Sequence, residues 1–301
     1  MRSSTRFRSR VRGVGGGLAA GLAAALALTS TANAATGLPD RQMARSSLTT
    51  ATTLATAAGS AHLSYWGGRV VRNVRVVIVV WGSGTYQSQV TSNSSSNIVS
   101  FYGGIEKSSY VDWLREYNTA SDAIGRGSVV GRYVIMPAAH NNGSVVDDVS
   151  NIRPELAAQI RAHRLPAPDA NTVYALYFHR GQVVRQGGTD SSHGFCAYHN
   201  TVRWSSTLNL RYMVLPPGAT GTHCGPLPGF GNLQIAASHE LLEAITDPDV
   251  GLATRVGPPL AWYDRANGEI ADICIGNIAS VRGGDGRMYT CLLYTSPSPR
   301  D

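Results

Sequence analysis

His239-Glu240-Leu241-Leu242-Glu243 sets an imidazole and a carboxylate one helical turn apart, with a second carboxylate directly after the imidazole. Residues four apart share a helix face, and adjacent residues lie about 100° apart around the axis. An imidazole with a carboxylate at i+4 can offer two ligands to one metal ion. The acid between them is placed to take a proton from metal-bound water. In the H-E-x-x-H form of this pattern both ligands are histidines; here Glu243 changes the donor and keeps the position. The expected roles are zinc ligation by His239 and Glu243, with Glu240 as general base. Asp247 extends the same stripe by a further turn. A structural reading stands beside the metal one, because paired acids and a histidine can also form a buried hydrogen-bonded network without an ion.

Zinc hydrolysis needs a third protein ligand and an open position for water. "AWYDRANGEIADICIG" offers Asp264, Glu269 and Asp272 downstream. Glu269 is the expected third ligand, with Asp272 orienting His239 from outside the coordination shell. His199 is the rival ligand, with His193 and His223 behind it. Calcium competes with zinc, since Glu243, Asp247, Asp249 and Asp264 could form an oxygen-rich set. "GTDSSHG" lacks a nucleophile-elbow pattern and reads as a loop. "WGSGTY" and "GRGSVVGR" lack the phosphate-loop lysine spacing and read as turns, the chain's one lysine being Lys107.

These groups need a helix and a frame. The helix is predicted from Asn232 or Leu233 to Thr246, stopped by Pro248. "RNVRVVIVVWG" and "NTVYALYFHRG" are continuous apolar runs of the kind buried on both sheet faces. "GSVVGRYVIMP", "HGFCAYHNTVR" and "LNLRYMVLPPG" read as further strands. "VSNIRPELAAQIRAHRLP" reads as a helix with Pro154 near its start. "SNSSSNIVSFYGGIEKSSYVDWLREYN" reads as one or two helices with a Gly-Gly interruption. Alternating strands and helices predict a single layered α/β domain with a mainly parallel sheet, an antiparallel edge strand at "FCAYHNTV", and the motif helix after the sheet. That order resembles the N-terminal half of zincin-type metallopeptidases, in which the edge strand lines the cleft above the metal.

Composition bounds the surroundings. Residues 1–34 combine five arginines without an acid, a short Gly-broken apolar run and an Ala32-Asn33-Ala34 box, the pattern of a secretory signal peptide. The run is too short for a membrane anchor, which needs about 20 apolar residues. Removing that leader takes the formal charge from +7 to +2 and leaves no basic cluster with interleaved aromatics, so nucleic-acid binding is not expected. Residues 35–61 are Ala/Thr/Ser-rich and are expected to be a flexible segment; residues 62–290 are long enough for one domain. "CLLYTSPSPRD" back-translates to a string like a transposase sequencing adapter, so 291–301 are expected to be translated adapter with the native tail missing. In an oxidising compartment Cys196 and Cys224 are expected to pair, leaving Cys274 odd.

"YWGGRVVRNVRVVIVVWG", "GFCAYHN", "ASHELLEAITDP" and "WYDRANGEIADIC" occur in an order that resembles the phosphate-induced, EXORDIUM-like family of plants and its bacterial relatives. The resemblance spans about Tyr65 to Thr290. It implies a secreted or cell-wall-associated protein and groups His239, Glu240, Glu243, Asp247, Glu269, Asp272 and Cys274; it implies no reaction. Two functions follow as expectations. One is a secreted zinc-dependent hydrolase acting on an extracellular peptide. The other is a non-catalytic extracellular protein with a structural metal or acid–histidine cluster, working by binding at a cell-surface polymer.

Overall fold

Continuous β-branched runs become the middle of a sheet. In the computed structural model, which describes residues 42–44, 61–220 and 224–294, the main sheet has six strands. In spatial order these are β1 (Gln42–Ala44), β9 (Phe195–Arg203), β10 (Asn209–Leu215), β6 (Thr172–Tyr177), β3 (Asn73–Trp81) and β4 (Gly125–Ile135). The β10–β6, β6–β3 and β3–β4 pairs are parallel, whereas β9 runs antiparallel to β10 and to β1. The domain is thus α/β with a mainly parallel sheet.

Both sheet faces are covered. Val76, Ile78 and Val80 of β3 belong to one apolar cluster, and Val77, Val79 and Trp81 to the other, as the two-residue period of a strand requires. Helix α4 (Arg153–Arg161) buries Leu156 and Ile160 on the second face. Helices α2 (Ile98–Ile105) and α5 (Phe230–Thr246) pack on the first, among Phe101, Leu241, Leu242 and Ile245. Short helices α1 (Ser88–Thr91) and α3 (Ser109–Asp112) flank α2. Smaller sheets lie outside the main one: a three-stranded sheet of β5 (Val145–Asp147), β7 (Val183–Gln186) and β8 (Thr189–Asp190), a pair of β2 (Ser64–Tyr65) with β11 (Trp262–Tyr263), and a pair of β12 (Ile278–Arg282) with β13 (Met288–Leu292). None of the helices among the described residues is long and apolar enough to cross a membrane.

Several expectations are corrected. The Gly-Gly pair does not interrupt α2, which runs through Gly103 and Gly104 from its Asn97 cap. Gly104 serves close packing: a Cβ there would lie 2.4 Å from the ring of Tyr289. "GRGSVVGR" is not a turn but the first part of β4, irregular in register against β3; Gly127 lets β4 approach, since its Cβ would meet Val74 at 2.5 Å. The antiparallel edge expected at "FCAYHNTV" is present as β9, and the three-residue β1, within the segment expected to be flexible, pairs along its outer side.

The boundary expected at 290/291 falls inside β13 (Met288–Leu292). That strand pairs with β12 (Ile278–Arg282) on one side and with polar side chains of α5 on the other. Gln234 accepts from the Thr290 amide at 2.9 Å and Ser238 from the Leu292 amide at 3.0 Å. Cys291, Leu292 and Tyr294 are fully buried, Tyr294 against Tyr110 and Trp113. The expected leader and residues 295–301 lie outside the described residues, as does most of 35–61.

Candidate metal centre

Helix α5 is buried on every side from Asn232 to Thr246. Apolar side chains such as Leu241 and Leu242 contribute about 1.5–3 kcal/mol each, which offsets the burial of ionisable groups on the same helix. His239 and Glu240 are 0% exposed and Glu243 1%. Antiparallel β9 lowers His199 onto them, its register neighbour Met213 facing the α5 side of the sheet. From beyond the C-terminus of α5, the single turn α6 (Ile270–Ile273) brings Glu269 at its cap and Asp272 at its third position. Gly268 precedes it at φ +92°, where a Cβ would stand 2.6 Å from Asp272 Oδ2. Glycine both permits that turn and leaves room for the carboxylate.

The six side chains form one cluster hinged on Glu243. On one side His239 Nε2 lies 3.1 Å from Glu243 Oε1 and 3.5 Å from Asp272 Oδ1. On the other, His199 Nδ1 lies 3.4 Å from Glu243 Oε2 and 3.5 Å from Glu240 Oε2. The second nitrogen of His199 faces Glu269 Oε1 at 3.4 Å. The ligand atoms of His199, Glu240 and Glu243, and those of His239, Glu243 and Asp272, lie close enough within each triad to share an ion.

These separations are long for charge-assisted hydrogen bonds, which cluster at 2.7–2.9 Å. Neither ring nitrogen of either histidine, and neither oxygen of Glu240, makes an aligned hydrogen bond. Leaving such groups unsatisfied costs about 1–3 kcal/mol each. The spacing fits another partner: two donors on a tetrahedral zinc, each about 2.0–2.1 Å from it, stand roughly 3.4 Å apart. The donor set therefore fits a metal ion better than a closed hydrogen-bond network.

Electrostatics agree. Burial opposes charge on both imidazoles, yet the facing carboxylates (Glu269 foremost at His199, Glu243 at His239) outweigh it and push both well above the ordinary histidine value. Burial raises Glu240 to about 7 and, helped by Glu243, Asp272 to about 8. Burial also opposes ionisation of Glu243, but the two imidazoles overcome it and hold Glu243 low. Without an ion, protons neutralise the cluster; binding of a cation displaces them.

The predicted residues are redistributed. His239, Glu243 and Glu240 meet as expected, but Glu269 and Asp272 exchange places: Asp272 faces the ligand side of His239, while Glu269 backs the far nitrogen of His199. The cause is the capping box of α6, with Glu269 at the cap and Asp272 at the third position, its Oδ2 accepting from the Glu269 amide at 3.4 Å. Spacing in the sequence says that one of the pair reaches the helix, not which. His199, the rival ligand, is a full member.

Asp247 is drawn off the stripe, because the chain leaves helical geometry there (φ −140°) and its Oδ1 accepts from the Ala261 amide at 2.8 Å. Asp264 is consumed by its own turn, accepting from the Ala266 and Asn267 amides and the Asn267 side chain, and from the His62 amide. Asp249 pairs with Arg211 at 3.0 Å. The four acids considered for calcium therefore do not converge. His193 is solvent-exposed beside Ser192, and His223 lies outside the described residues.

Cys196 and Cys224 form a disulfide that ties β9, three residues before His199, to the chain leading into α5. Cys274 and Cys291 are buried free thiols. No protein-family model, curated protein or solved structure matches the chain.

Proposed function

We propose that this is a secreted metal-binding protein whose buried divalent-cation centre, zinc by preference, fastens β9 and α6 to α5. The reading rests on unsatisfied imidazole nitrogens and carboxylate oxygens converging at 3.1–3.5 Å inside the domain. Mixed nitrogen and oxygen donors favour zinc over calcium. Secretion is supported by the leader pattern, by the Cys196–Cys224 bridge and by the EXORDIUM-like resemblance. Complete burial of Glu240 and the pairing of β1 along β9, where a zincin-type cleft would take substrate, favour a structural centre in a protein that acts by binding at the cell surface.

The test is thermal unfolding of the chelator-stripped mature protein during a zinc titration. Free zinc at 100 times its Kd should stabilise the fold by about 2.7 kcal/mol per ion bound, and His239→Ala should blunt that response. Indifference of the wild type to zinc, manganese and calcium alike would overturn the reading.

A second reading, a peptidase-like zinc hydrolase, draws on one observation: Glu240 follows the histidine ligand and its carboxyl is raised by burial to about 7, where a general base works best. Under it, Glu240→Gln keeps the zinc and abolishes peptide hydrolysis.

A further inference from the structure

The two ligand triads share a residue but not its atoms. His239 lies against Oε1 of Glu243, which also accepts from the Asp272 amide, whereas His199 lies against Oε2; Asp272 completes the first triad and Glu240 the second. A carboxylate with a different set of donors gathered at each oxygen has the geometry of a bridge between two ions. We propose that Glu243 bridges two divalent cations, one held with His239 and Asp272 and the other with His199 and Glu240. This rests on the metal-binding reading above and makes Glu240 a ligand rather than a base.

Two further observations carry it. The first is satisfaction of polar atoms. One ion at the His239 triad would leave His199 Nδ1 and both oxygens of Glu240 buried without an aligned partner; one ion at the His199 triad would leave His239 Nε2 in the same state. All of these residues are at most 2% exposed, so bulk solvent does not reach the atoms left over, and burying them unpaired is costly.

The second is support from outside the ligand set. Glu269 faces Nε2 of His199 at 3.4 Å, on the ring nitrogen away from the triad. A carboxylate there orients a ligating histidine and raises its basicity. Asp272 is in turn braced through Oδ2 by the Glu269 amide at 3.4 Å, and its own amide donates to Glu243 Oε1 at 3.2 Å. Its side chain is 16% exposed against 0–1% for the other ligands, so the cluster comes nearest to solvent on the α6 side. Carboxylate-bridged pairs in proteins sit about 3.5–4 Å apart, a span that the two oxygens of one carboxylate can serve.

The experiment counts ions. The stripped mature protein is reloaded with zinc, freed of excess by gel filtration, and assayed for zinc per chain by inductively coupled plasma mass spectrometry, with circular dichroism to verify folding. Two zinc ions per wild-type chain are expected, falling to one in Glu240→Gln and to one in Asp272→Asn. One zinc in the wild type overturns the bridge and leaves the single-ion reading standing; none overturns both. Two in wild type and two in Glu240→Gln also overturn the bridge, because Glu240 would then hold nothing. If a variant does not fold, the wild type loaded with manganese decides. A spin-coupled dinuclear electron paramagnetic resonance signal supports the bridge, and an uncoupled six-line spectrum at saturation refutes it.

Discussion

Replacing Cys196 and Cys224 together by alanine tests how the domain holds β9 against α5. The bridge closes a loop of sequence separation 28, and both residues are buried in the cluster beneath the sheet. Cross-linking a chain removes loop-closure entropy from the unfolded state by about 2.1 + 1.5R ln n cal/mol/K. For n near 28 this gives roughly 12 cal/mol/K, or about 3.6 kcal/mol at 25 °C. In a domain of this size 1 kcal/mol shifts Tm by about 2–4 °C, so the double variant should melt about 7–14 °C lower. Urea unfolding should also show a larger m value, because the unlinked denatured chain exposes more surface. Under the proposed metal reading the folded variant should still bind zinc, since the hydrogen-bonded register of β9 with β10 and the packing of α5 place His199 without the bridge. The assay is paired urea and thermal unfolding followed by circular dichroism, with zinc counted in the native fraction. A loss below about 1 kcal/mol with an unchanged m value refutes the entropic account. Loss of zinc from a still-folded variant shows instead that the bridge positions the ligands.

Two further predictions concern the frame. Asp122, buried at the side chain, accepts from Arg69 and Arg72. Burial opposes its ionisation, but these hydrogen bonds outweigh that and hold its carboxyl below the usual range. Its contribution is therefore present above the unfolded value of about 3.9 and is lost as pH falls through the lower folded value. Asp122→Asn should cost about 1.5 kcal/mol at pH 7, and the gap from wild type should narrow in urea titrations as the pH falls below the usual carboxylate range; a gap that stays constant with pH refutes the charge account. Gly104→Ala should cost about 1–3 kcal/mol by overpacking. The Tyr289 ring that it would meet is held by hydrogen bonds to Ser100 and Asp285 at 2.8 and 2.6 Å. An unchanged urea midpoint would show that the ring yields freely.

The motif helix, the parallel strands and the disulfide were legible because each is written locally or by composition. Apolar runs such as Val76–Trp81 state burial on both faces. His239 and Glu243 share a turn in any helix, and two cysteines in a chain with a leader pattern invite pairing. β4 was half hidden, since Gly125 and Gly127 look like turn residues until close approach to Asn73 and Val74 of β3 explains them, and Gly131 until the Tyr133 ring beside it in the same strand does.

What tertiary structure alone decided is the assignment of partners that meet across the fold. His199 joins because β9 runs antiparallel against β10 and turns that residue toward α5. Asp272, not Glu269, reaches His239 because a four-residue turn sets their directions. Asp247 and Asp264 drop out because backbone amides from loops take their oxygens first. Sequence separation carries no information about these choices: a side chain's direction after a turn depends on the few dihedrals of that turn, and a carboxylate's availability depends on which amides the rest of the chain brings to it.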